Sequence, residues 1–173
     1  MSNVPYHGVA IAIGVVVGVL GSAFHVGVEK LTAAWPAYLD TGLGLDGFPL
    51  YAAAALVAAA MTVVSLWLVR TFAPEASGSG VPEIEGAMEG LREVRWHRVL
   101  PVKFVAGLLS LSSGMVLGRE GPTIHIGASV AKAASDLMKW SGEDMRALLA
   151  AGGAAGLAAA FNAPLAAVLF VIE

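Results

Sequence analysis

The chain has 173 residues, 57% of them hydrophobic and 13% charged, against about 25% charged in ordinary soluble domains. A formal net charge of −3 argues against a nucleic-acid partner, and the lack of cysteine rules out a disulfide framework or a thiolate metal site. The four histidines, at 7, 25, 97 and 125, lack zinc-site spacing, so no metal or cofactor is expected, and no Walker A motif or GxSxG elbow points to an enzyme.

Residues 8–28, 49–69 and 147–172 contain no Asp, Glu, Lys or Arg. Each run reaches the roughly 20 apolar residues that cross a bilayer core as a helix. Three such runs in one short chain disfavour buried helices of a soluble core, and residues 1–7 lack the Lys or Arg of a signal peptide. The first predicted span is 8–34, where Gly14 and Gly18 form a GxxxG with Gly21 close behind, a pattern that lets another helix approach. A turn-rich stretch, 36–49, leads to the second span, 50–72. Residues 73–98 then bring Glu75, Glu83, Glu85, Glu89 and Glu93 together with Arg92, Arg95 and Arg98. Lys30 alone stands in the loop between the first two spans, so the Lys/Arg asymmetry places residues 70–98 and the N-terminus on the cytoplasmic side.

The third predicted segment, 99–117, carries Lys103 inside it, and the fourth, 122–140, carries Lys132 and Asp136 four apart. The last apolar run is interrupted by Asn162-Ala163-Pro164. Proline breaks helices, so the prediction is a helix over 143–161, a break, and a new helix from Pro164 with Asn162 as its cap. The Ala/Gly run 150–160 reads as a close-packing face. Short, Gly/Pro-interrupted hydrophobic segments mark transporters whose half-helix ends meet a substrate near the midplane. The expected fold is all-α: a polytopic membrane helical bundle with broken half-helices, in a single transmembrane domain over 1–173.

Two Gly-rich segments carry the chemistry, Gly78-Ser79-Gly80-Val81-Pro82 and Gly118-Arg119-Glu120-Gly121-Pro122. Each precedes a helical stretch, and proline suits a first helical position. The free N–H groups of a first turn favour an anion, so both segments point to anion transport, with the Glu120 carboxylate competing for the anion's place. An ionisable group at the bilayer centre costs about 2.5–3.5 kcal/mol, which a functional role would explain. A buried salt bridge from Glu120 to Lys103 or Arg119 is the structural alternative. Ser79 alone would read as a helix cap, and Glu83 as structural. Lys103 reads equally as a source of positive potential near the path or as a side chain snorkelling to an interface. His125 reads as a core histidine, and His25 as packing.

The segments GSGVPEIEG (78–86), GREGP (118–122) and AAFNAPLA (159–166), in this order and separation, resemble the CLC family of chloride channels and proton-coupled chloride antiporters, of bacterial type. The resemblance runs from the first span to Glu173 and implies the first of two inverted repeats; the family's GxFxP motif and pore tyrosine have no counterpart in these residues. It implies chloride and protons as the transported species, a lipid bilayer as surroundings, a homodimer, and residence in a bacterial inner membrane. Under it, the Ser79 hydroxyl would donate to the central chloride, with backbone N–H groups at Gly78, Gly80, Arg119 and Gly121 completing the anion sites. Glu120 would be the gating and proton glutamate. Glu173 would stand at an inner proton route, near which Glu85 could also lie, although a structural role suits Glu85 better. A serine at 79, where some members carry proline and prefer nitrate, favours chloride. The alternatives are a passive chloride channel and a non-transporting assembly module derived from the same family.

Overall fold

The computed structural model describes residues 4–172, which form seven α-helices and no strand. They are α1 (Val4–Ala37), α2 (Gly47–Phe72), α3 (Val81–Met88), α4 (Trp96–Ser112), α5 (Glu120–Leu137), α6 (Glu143–Phe161) and α7 (Pro164–Ile172). A π-helical turn, Tyr38–Gly42, closes α1, and a 3-10 turn, Pro74–Ala76, follows α2. Two stretches, Tyr6–Gly42 and Gly47–Phe72, are long and apolar enough to cross a bilayer, with mean hydropathies of 2.3 and 2.2.

α1 runs longer than its predicted span. At 1.5 Å per residue its 34 residues reach about 51 Å, well beyond a hydrocarbon core of about 30 Å. Its buried stripe passes through Ile13, Val17, Phe24 and Val28, with Gly21 in line. A Cβ on Gly21 would fall 2.7 Å from the Ala159 Cβ of α6, whereas one on Gly14 or Gly18 would meet nothing within 4 Å. The GxxxG pair therefore does not make the intrachain packing face expected of it. Gly14 and Gly18 each sit one residue, about 100°, round from the buried Ile13 and Val17.

α5 and α6 form the closest pair in the bundle. Their backbones touch at Gly127 and Gly152, and a Cβ on Gly156 would fall 2.7 Å from the carbonyl carbon of Thr123. The Ala/Gly run is thus the close-packing face expected of it. α6 ends at Phe161 and α7 begins at Pro164, as the Asn-Ala-Pro break predicts. Asn162 plays a different part from the one expected: at φ 53°, ψ 35° it closes α6 in the left-handed region, which asparagine tolerates better than most residues. The Ala163 carbonyl accepts the Ala167 N–H at 3.1 Å, so Ala163 holds the cap position of α7.

α2 packs chiefly on α4, where the Ser65 hydroxyl donates to the Ala106 carbonyl at 2.8 Å. Only 6% of its apolar window is buried against the other described helices. α4 stops at Ser112, short of the predicted 117, because Gly114 takes φ 93° and turns the chain. Residues 115–117 then lead to Gly118 outside any helix.

Candidate functional site

The site is built where the starts of α3 and α5 meet. Gly78 and Gly80 both take left-handed backbones, at φ 65° and 86°, a conformation that glycine enters without steric cost. At Gly80 a second constraint acts: a Cβ there would lie 2.6 Å from the Cβ of His125, so the imidazole occupies the space a side chain would need. Gly80, not Ser79, is the N-cap of α3. The Ser79 oxygen accepts only a long contact from the Val81 N–H, 3.4 Å, and its O–H has no acceptor among the described residues. Pro82 falls at the second position of α3, followed by Glu83, which pairs with Arg92 in the structural role expected of it.

Lys103, on α4, is 5% exposed. Its ammonium donates to the carbonyls of Ala76 at 2.8 Å and Gly78 at 2.6 Å. This excludes snorkelling: the charge is turned inward onto the loop that leads to Ser79. In a trans peptide the C=O and the following N–H point in opposite directions, so holding the Gly78 carbonyl turns the Ser79 N–H away from the lysine.

Glu120 is the first residue of α5, with Arg119 as N-cap. The helix therefore begins two residues before Pro122 and includes the carboxylate residue, where the Gly-Pro pair suggested a start just behind it. The Arg119 carbonyl accepts the Thr123 N–H at 3.3 Å, and the Thr123 hydroxyl reaches the Glu120 carbonyl at 2.8 Å, which together fix the early start. Pro122 still lies in the first turn, where N–H groups lack helical acceptors. The Glu120 carboxylate folds back over Gly118, taking the space that a side chain there would fill. It forms no ion pair among the described residues. Lys103 is bound to carbonyls, and the Arg119 guanidinium lies 3.1 Å from His25 Nδ1 and 3.9 Å from Glu29. The salt-bridge account of Glu120 is thereby removed, and His25 is a bonding partner where packing was expected.

Gly121 brings the two helix starts into contact. A Cβ on it would fall 2.6 Å from the Ser79 carbonyl oxygen and 2.7 Å from the Ser79 Cα. Beside that contact lies a cavity of about 560 Å³ lined by Gly78, Ser79, Lys103, Glu120, Gly121 and Pro122, with Thr62 and Ser65 of α2 on its far wall. Four of the anticipated site residues, Gly78, Ser79, Glu120 and Gly121, are thus gathered in one place. Gly80 stands behind them against His125, and the Arg119 side chain faces away toward α1. Glu85 is exposed and lines a separate cavity of about 370 Å³ with Ile124, Leu149 and Val171. Glu173 lies outside the described residues. Thr62 and Ser65 were not singled out in the sequence; isolated hydroxyls within an apolar span were the available signal.

A Gly-rich donor loop and an unpaired carboxylate stand at the ends of broken helices, in a bundle whose α1 and α2 are long and apolar enough to cross a bilayer, the make-up of a polytopic membrane protein. Residues 60–173 match the family described as voltage gated chloride channel, and the chain belongs to that family. Over 165 residues it is 50% identical to the H(+)/Cl(-) exchange transporter ClcA of Vibrio cholerae serotype O1, covering 95% of this chain and 35% of that protein. It is 49% identical over 169 residues to ClcA of Salmonella paratyphi A. Among solved structures it is similar to a slow cyanobacterial Cl-/H+ antiporter, with 43% identity and a TM-score of 0.87 over 94% of this chain and 38% of the other. The chain spans about a third of the length of the curated relatives it matches.

Proposed function

We propose that these residues form part of a proton-coupled chloride antiporter, with Ser79 as a chloride ligand and Glu120 as the group that exchanges places with the anion. The observation that carries this reading is the contact of two Gly-rich helix starts at Gly121 and Ser79, with an unpaired carboxylate on the rim of the cavity beside it. The Ser79 O–H and the free N–H groups of α3 and α5 offer neutral donors, which hold an anion firmly enough to enter and loosely enough to leave. A deprotonated Glu120 satisfies those donors itself and closes the path. Once protonated it loses that attraction and yields the place to chloride, so one side chain couples the two ions. The names of the relatives, H(+)/Cl(-) exchange transporters, support the same reading. With it go a bacterial inner membrane, a homodimeric assembly, residues 70–98 on the cytoplasmic side, and backbone contributions from Gly78, Gly80, Arg119 and Gly121. Glu173 stands at the inner proton route in this proposal, with Glu85 in a structural role near it.

The test is reconstitution of the protein as the cell makes it, with chloride efflux and proton uptake recorded together. Glu120→Gln is expected to keep chloride moving while protons no longer do. Proton pumping at the unaltered rate by that variant would overturn the assignment.

A further inference from the structure

The Arg119 side chain, one residue from the carboxylate proposed as the gate, is held by a chain of contacts that the transport reading does not use. The imidazole of His25, on α1, lies between two groups: its Nδ1 is 3.1 Å from Arg119 Nη1 and its Nε2 is 3.1 Å from Glu29 Oε1. A guanidinium has only donors, so Nδ1 must be the acceptor and carry no proton. A carboxylate has only acceptors, so Nε2 must carry the hydrogen. Arg119 therefore donates to His25 only while the imidazole is neutral, whereas the Nε2–H donates to Glu29 in either protonation state. A second proton would go on Nδ1, where it removes the acceptor and sets two cations against each other.

The ring is not sealed inside the bundle. The His25, Glu29 and Arg119 side chains are 42%, 56% and 41% exposed. At 1.5 Å per residue, His25 stands about 32 Å along α1 from Val4, roughly one hydrocarbon thickness. That puts it in the half of α1 farther from the N-terminus. Ionisable groups around it are Glu29 on its own helix and Arg119 and Glu120 at the start of α5. The parts of α4 and α6 packed at this level, residues 108–112 and Ala159, carry none. Histidine is also the side chain whose charge changes over the physiological pH range.

We propose that His25 is a positioning residue and an external pH sensor: neutral, it tethers Arg119 away from the cavity mouth, and protonated, it releases the guanidinium beside Glu120. Release adds an unpaired positive charge at the mouth, which raises the local concentration of anions. The proposal rests on the anion-transport reading for its consequence and on the tether geometry alone for its mechanism.

The experiment uses a Glu120→Gln background, which removes the gate's own proton dependence, and measures chloride uptake against external chloride at several external pH values. The apparent KM is expected to fall about threefold between neutral and acid pH, the scale of one added surface charge near an entrance. His25→Asn keeps an acceptor for Arg119 but cannot be protonated, and the double variant is expected to show a flat KM while keeping its kcat. Equal pH dependence with and without His25, or none in either, would overturn the proposal. In parallel, nitrogen-15 NMR of the histidine rings, with His25 assigned by its loss in His25→Asn, reads the tautomer directly. A bare Nδ1 and a protonated Nε2 at neutral pH are expected, and a protonated Nδ1 would sink the tether whether or not the protein carries chloride. If chloride flux is absent altogether, the transport reading falls, and the ring nitrogens still decide whether the tether exists.

Discussion

Two side chains at the site owe their positions to residues that offer no side chain at all. Gly121 lets α5 rest against the Ser79 backbone, and a methyl group there would sit 2.6 Å from the Ser79 oxygen. Backbone cannot yield as a flexible side chain can, so Gly121→Ala is expected to force the two helix starts apart. Overpacking of this kind costs about 1–3 kcal/mol, and the effect on the proposed anion site should exceed the effect on the fold. The expected result is a melting temperature lowered by a few degrees with chloride affinity reduced beyond detection by titration calorimetry. Ser79→Ala removes one neutral hydrogen bond, worth about 0.5–1.5 kcal/mol, and should weaken chloride binding several-fold while leaving the fold unchanged. Lys103→Met is expected to damage both, because it leaves the Ala76 and Gly78 carbonyls without their donor. Hydrogen bonds to charged groups are worth about 1.5–3 kcal/mol, and Lys103→Arg should restore part of the stability. At this scale the Gly- and Pro-containing segments located both helix starts to within a few residues, although α3 is capped by Gly80 and α5 opens at Glu120. The sequence was silent on the partners of Lys103. Those are backbone carbonyls 25 and 27 positions away, and no pattern of residue types encodes a carbonyl. His25 failed to stand out for a related reason: its bond to Arg119 spans 94 positions, so each residue looked unremarkable in its own neighbourhood.

Among the elements, the α5–α6 pair depends on bare backbone, and α1 does so at two points, Gly21 against α6 and Gly27 against α4. Gly156→Ala is expected to lower the melting temperature, because the methyl would meet Thr123 and Ile124 backbone. Gly14→Ala should leave it unchanged or raise it. Nothing lies within 4 Å of that position, and glycine within a helix costs up to about 1 kcal/mol relative to alanine. A thermal scan of the two variants side by side checks both. The sequence disclosed the break between α6 and α7 because Asn-Ala-Pro halts a helix locally. It did not disclose the end of α4. Met115, Val116 and Leu117 continue the apolar run, and only the left-handed turn at Gly114, invisible in composition, stops the helix. The start of α5 was misjudged for the same sort of reason: the Thr123 hydroxyl and the Arg119 carbonyl hold a helical turn ahead of the proline that usually opens one.

The whole molecule is a bundle with an uneven skin. α2 and the outer face of α1 present Val15, Val19, Tyr51, Leu56 and Val63 to the surroundings, while the buried polar groups gather around α4 and α5. The proposed orientation can be tested because the chain has no cysteine of its own. A cysteine replacing Asp46 is expected to react with a membrane-impermeant maleimide added outside cells, and one replacing Glu93 only after the membrane is opened. Labelling with the sides reversed would invert the topology. Spans and charge asymmetry were readable from the sequence because the bilayer imposes them on every helix alike, whereas the way α1, α4 and α6 enclose α5 depends on shape, which a hydropathy pattern does not carry.

The contact between Ser79 and Gly121 also has a meaning in time. The chain is synthesised from its N-terminus, so the loop that offers Ser79 emerges 42 residues before the glycine it must rest on, and 24 before Lys103, whose ammonium holds its carbonyls. α3, with only eight residues, is about 12 Å long, too short to settle across a bilayer unaided. It has to wait in a watery or protein-lined setting until α4 and α5 arrive, and α5 in turn closes against α6, made later still. The spans are laid down in order, but the proposed anion site matures last, so a slowed or interrupted synthesis should yield inserted helices well before it brings Ser79 and Gly121 together.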